Sequence, residues 1–126
     1  MTTRWLMAVL AVMGGLLVSG LAGAIAATLL GFWDLPGASF SAAASVVVIA
    51  YLAAPRHKFL AACTVLILGA VAAWMILEPA WLPESYRGRG AYQPTHLPII
   101  ATYLGALIGL AAVLLLRRAS GRNAGN

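Results

Sequence analysis

Four stretches of the chain run for roughly 17 to 28 residues without a formal charge: residues 5–32, 38–54, 59–77 and 97–116. About 20 apolar residues carry a helix across the hydrocarbon core of a bilayer. A chain of 126 residues cannot hide four such runs in a core of its own. The expectation is an all-α membrane protein, a small bundle of four transmembrane helices. Residues 1–118 form its single domain, and 119–126 form a short flexible C-terminal tail.

Composition agrees. The chain is 63% hydrophobic and 9% charged, whereas soluble domains carry about 25% charged residues. The net charge of +5 does not point to nucleic acid, because the basic residues flank apolar runs instead of clustering on one face. The single cysteine, Cys63, rules out an internal disulfide and a cysteine-cluster metal site.

The first run has the outline of a secretory signal, MTTR followed by apolar residues and LAGAIAA. It continues through Leu29 and Leu30, past any such cleavage site, so an uncleaved first helix is expected. At 1.5 Å per residue its 28 residues reach about 42 Å, enough to require tilt or an interfacial end.

Basic residues set the expected orientation. If all four runs cross, Arg4, Arg56, Lys58, Arg117, Arg118 and Arg122 fall on one side with no acid. Asp34, Glu78, Glu84, Arg87 and Arg89 fall on the other. The positive-inside rule then places both termini in the cytoplasm, N-in and C-in, in a bacterial inner (plasma) membrane. The long connection between the third and fourth helices, residues 78–98, becomes external. Asp34 and Thr95 are placed to cap the second and fourth helices, with Pro36 and Pro98 in the first turns. Trp5, Trp33, Trp74 and Trp81 lie near predicted interfaces, where indole rings favour the headgroup region.

Small residues recur at four-residue spacing: Gly15, Ser19, Gly23 and Ala27 in the first helix, Gly69 and Ala73 in the third, and Ala101, Gly105 and Gly109 in the fourth. In lipid, close backbone approach along such stripes is a main source of helix packing. The same pattern serves packing within the chain or docking of a partner. Hydroxyls within spans (Ser39, Ser41, Ser45, Thr64, Thr102) can bond a backbone carbonyl one turn back and require no function.

No Asp, Glu, Lys, Arg, His, Asn or Gln lies in the middle of a predicted span. Pumps, proton-coupled transporters and voltage sensors place ionisable groups there. The chain lacks the embedded glutamate of small four-helix multidrug exporters and the asparagine of small fluoride channels. His57 and His96 fall at opposite ends of the bundle, too far apart to ligate one haem. No cofactor, metal or catalytic constellation is expected, and Glu78, Glu84 and His96 match no metal-ligand spacing.

Polar residues collect in the 78–98 connection, EPAWLPESYRGRGAYQPTHLP. Its aromatic and proline content fits a structured loop lying on the bilayer or on a neighbour. Trp81, Glu84, Tyr86, Arg87, Arg89, Tyr92 and His96 are its candidate contacts with a partner or lipid headgroup, the arginines being suited to phosphate or carboxylate. The residues favour a small polytopic membrane protein that acts as a non-catalytic accessory or assembly subunit of a larger membrane complex. Its partners would be the lipid bilayer and a membrane protein or second copy. The alternative is a small homo-oligomeric transporter or flippase for a lipid-linked or hydrophobic substrate, with Arg87, Arg89 and His96 meeting a phosphate headgroup.

Overall fold

A computed structural model describes residues 2–78, 80–81 and 94–125. Their order is α1 (Thr2–Leu29), α2 (Asp34–Ala53), α3 (Lys58–Leu77), β1 (Ala80–Trp81), β2 (Pro94–Thr95) and α4 (Leu97–Ala124). All four helices are long and apolar enough to cross a bilayer, which points to a membrane-embedded protein. The two short strands pair antiparallel, Ala80 opposite Thr95 and Trp81 opposite Pro94. The helical reading of the sequence did not include this ladder.

The helix ends follow local chemistry more than hydropathy. The apolar run continues to Phe32, yet α1 stops at Leu29 because Gly31 adopts a left-handed φ of 78°. Phe32 N–H then donates to Ala27 O at 2.8 Å and Gly31 N–H to Thr28 O at 3.0 Å. That paired return is a Schellman cap, which satisfies carbonyls the helix leaves open. At the start of α2 the capping residue is Trp33, with no side-chain cap bond, and Asp34 is already in the first turn. The expected Asp34 cap is therefore absent, although a carboxylate there still faces the positive end of the helix dipole. Ala54 is extended (φ −64°, ψ 129°) because it precedes Pro55, whose ring disfavours the helical region. His57, at φ 49°, completes the reversal into α3. At α4, Leu97 N–H donates to Thr95 Oγ1 at 3.2 Å, so Thr95 satisfies one free amide from just outside the helix.

The expected tail from residue 119 is not seen as such, for α4 continues to Ala124. Arg117, Arg118 and Ala119 are good helix formers, and no proline intervenes. Basic residues also suit the negative end of a helix.

The bundle is built around α2. Gly15, Gly20, Gly23 and Ala27 of α1 meet Ile49, Ala42, Ser41 and Gly37 in reverse order, so α1 runs antiparallel to α2. Gly105 and Gly109 of α4 meet Phe40 and Ala44 in the same order, so α4 runs parallel to α2. A Cβ on Gly105 would run into the Phe40 carbonyl, and one on Gly109 would lie 2.6 Å from Ala44 O. Ser41 Oγ lies 2.7 Å from Ser19 O across the α1–α2 contact, and 2.9 and 3.1 Å from the Gly37 and Ala38 carbonyls. Its single proton serves the nearest, which is the one on α1.

Helix α3 packs less extensively, against α2 and α4. Val47, Ala62 and Val113 form a fully buried knot with Val46, flanked by Val12, Tyr51 and Phe59. Tyr103 of α4 donates its hydroxyl to Ala70 O at 3.3 Å. Most large apolar side chains instead face outward, among them Leu17, Leu29, Met75 and Ile76. That arrangement suits lipid as the solvent.

Substituting alanine for glycine raises helix propensity by about 1 kcal/mol at any interior position, so two such changes isolate the packing term. Gly14 has nothing within 4 Å of a built Cβ. We expect Gly14→Ala to be neutral or mildly stabilising, and Gly105→Ala to lose about 1–3 kcal/mol through overpacking. Denaturant titration of the two variants in mixed micelles checks the difference.

Candidate functional site

The ends of the 78–98 connection lie side by side. Glu78 ends α3 and His96 precedes α4, and the β1–β2 ladder between them holds the two chain directions together. His96 Nδ1 lies 2.6 Å from Glu78 Oε1, with the histidine side chain 72% exposed and the glutamate 15%. Nδ1–H can donate to the carboxylate in the neutral ring as well as in the charged one. Each group stands at the helix terminus that suits its charge least: a carboxylate at a C-terminus and an imidazole at an N-terminus. Pairing offsets that arrangement.

Of the seven contact candidates in this connection, Glu84, Tyr86, Arg87, Arg89 and Tyr92 lie outside the described residues. Trp81 is placed by its backbone in β1, and His96 bonds to Glu78. The sequence offered His96 as a partner or headgroup contact, and Glu78 with His96 as a metal-ligand combination of no recognised spacing. The structure brings them together as a hydrogen-bonded pair. Among the described residues, no group of three His, Cys, Asp or Glu side chains could hold a metal ion.

The small-residue stripes divide by use. Gly15, Ser19, Gly23 and Ala27 face α2, as do Gly105 and Gly109, with Ala101 in the wall of a groove beside them. On α3, Ala73 is buried, but a Cβ on Gly69 would meet nothing within 4 Å.

Two apolar grooves flank α2. One, of about 510 Å³, opens between α1, α2 and α4 and is lined by Ala27, Phe32, Trp33, Phe40, Leu97 and Leu104 among others. The second, of about 250 Å³, lies between α2, α3 and α4, with Val65, Gly69, Ala73 and Ala106 in its wall. The polar groups near the second are already engaged. Thr102 Oγ1 donates to Pro98 O at 2.7 Å, and Ser39 Oγ lies 3.1 Å from Pro36 O and 3.3 Å from Pro98 O. Among the described residues, no buried side-chain polar atom lacks a partner, and Thr102 is the buried polar residue. Among the described residues that line them, neither groove offers a nucleophile with a base. The sequence did not reveal the grooves, because they arise from how α1, α3 and α4 seat against α2.

Charge is segregated along the bundle. Arg4 and Arg56 line one cavity, while His57, Lys58 and Arg117 line another at the same end. Asp34 and the Glu78–His96 pair lie at the opposite end.

A comparison with known protein families finds no model that matches, and comparisons with curated proteins and with solved structures find no match either.

The Glu78–His96 pair predicts a local effect. Removing the carboxylate with Glu78→Ala should speed amide exchange at Ala80, Trp81 and Thr95. An exposed pair is worth about 0–1 kcal/mol, so overall stability should barely change. Hydrogen exchange read by mass spectrometry, beside a denaturant titration, separates the two.

Proposed function

We propose that the chain is a small integral membrane protein that serves as a non-catalytic accessory or assembly subunit of a larger membrane complex. It would sit in a bacterial inner membrane with both termini in the cytoplasm and the 78–98 connection outside. The observation that carries the reading is the α3 face. The α1 and α4 stripes are used up against α2, but Gly69 lies open beside Ala70 and Ala73 in the wall of an apolar groove. In lipid, helices associate where small residues let backbones come close, and this face offers such an approach to a helix from outside the chain. The lack of Asp, Glu, Lys, Arg and His in the middle of the spans supports a structural role over a coupled transport cycle.

The test is native mass measurement after gentle detergent extraction. A stoichiometric complex with another membrane protein or a second copy is expected. Gly69→Leu should dissociate it and leave the monomer folded, since open space surrounds that position. A wild-type chain that runs only as a monomer would sink the proposal.

A second reading is favoured by the groove between α1, α2 and α4. Its walls are apolar and its volume of about 510 Å³ falls in the range of small-molecule sites, about 300–1,000 Å³. A homo-oligomeric transporter or flippase for a lipid-linked or hydrophobic substrate would use it, with Arg87, Arg89 and His96 at the headgroup. Arg87→Ala with Arg89→Ala should then cut lipid movement in proteoliposomes by tenfold or so, the worth of about 1.4 kcal/mol. Unchanged movement removes this mechanism.

A further inference from the structure

The basic end of the bundle carries a feature that the proposed role does not use. A cavity of about 410 Å³ is lined by Tyr51 from α2, His57 from the turn, Lys58, Phe59 and Leu60 from α3, and Arg117 from α4. A lysine, an arginine and an imidazole, from different parts of the chain, therefore border one volume. The Arg117 guanidinium stands 4.9 Å from the centre of the Phe59 ring. That contact is within cation–π range and holds the guanidinium over the cavity's aromatic wall. Among the described residues both acids, Asp34 and Glu78, lie at the far end, so no carboxylate neutralises the cluster. The first turn of α3 has no side-chain cap, and its free amides add partial charge of the same sign.

We propose that this cavity binds the phosphate headgroup of an anionic phospholipid. Lys58 and Arg117 supply the charge, and the Phe59 ring fixes the guanidinium. The phosphate group is the chemistry the cations select. The lipid assignment comes from what lies beside it. Leu60 is in the cavity wall and is 65% exposed, and the outward faces of α3 and α4 continue with Ile67, Leu68 and Leu115. A free anion has no use for that apolar border, whereas a phospholipid lays its acyl chains along it. Basic pockets between spanning helices attract anionic headgroups by this combination. The site requires no protein partner, so it stands or falls apart from the accessory role.

Native mass spectrometry of the purified full chain tests it, with phosphatidylglycerol or phosphatidylcholine of the same acyl chains added to the micelles. Phosphatidylglycerol should be retained in preference, with a loss of roughly fivefold per cation removed in Lys58→Gln and Arg117→Gln. The charge-keeping pair Lys58→Arg and Arg117→Lys should retain the preference. So should Arg56→Gln, which removes a cation from the same end but outside this cavity. Both positions are exposed, and an unchanged denaturant titration confirms that the variants fold. Equal retention of the two lipids overturns the proposal, as does an equal loss in Arg56→Gln, which marks a diffuse basic surface. If inorganic phosphate alone displaces phosphatidylglycerol at equal concentration, the apolar border contributes nothing and the lipid assignment falls.

Discussion

The structure depends on how closely two backbones can approach α2. Lipid tails are as apolar as leucine, so there is no hydrophobic push to gather the helices, and van der Waals contact between them must do it. Gly23 of α1 and Gly37 of α2 face each other, and a Cβ on Gly37 would come within 2.8 Å of Gly23 O. Gly105 and Gly109 do the same for α4 against the backbone of Phe40 and Ala44. With both flanks of α2 taken, α3 is left with side-chain contacts, chiefly the Val47–Ala62–Val113 knot and the Tyr103 hydroxyl. The knot lies toward the basic end. Toward the acidic end the helices leave room, and both apolar grooves open along that part of α2.

That unequal packing explains what could be read from the sequence. Length and hydropathy located the four helices, since a run such as 59–77 has one physical solution in lipid. They could not locate helix ends, because apolarity continues through Leu30 and Phe32 while the chain turns at Gly31. The turn was written in the single glycine, and the proline at 55 marked the other short reversal more openly. Glycine spacing showed which faces could pack closely but not against what. Gly69 and Gly105 look alike in sequence, yet one meets a backbone carbonyl and the other meets empty space. The Glu78–His96 pair spans 18 residues and obeys no periodicity, so only the meeting of β1 with β2 reveals it. The contact candidates between 82 and 93, five of the seven, lie outside the described residues.

The hydroxyls sharpen the distinction between a scaffold and a conduit. A polar path through a bundle needs donors and acceptors left free to face a permeant group. Here Thr28 and Thr64 return their protons to carbonyls one turn back, Thr102 does so to Pro98, and Ser41 spends its proton joining α1 to α2. What remains along the grooves is apolar.

Charge then falls where the helices stop. At one end the carboxylate and imidazole of Glu78 and His96 engage each other beside a two-residue ladder, with Asp34 at the same end in the first turn of α2. At the other end Lys58 and Arg117 border a common cavity, with no acid among the described residues beside them. Like charges that border one volume repel each other, and solvent at these exposed positions weakens that repulsion. The described residues supply that cluster with no internal counter-charge, so an anion from outside the chain would stabilise it, and at the edge of a bilayer the abundant anion would be a phosphate carried by lipid.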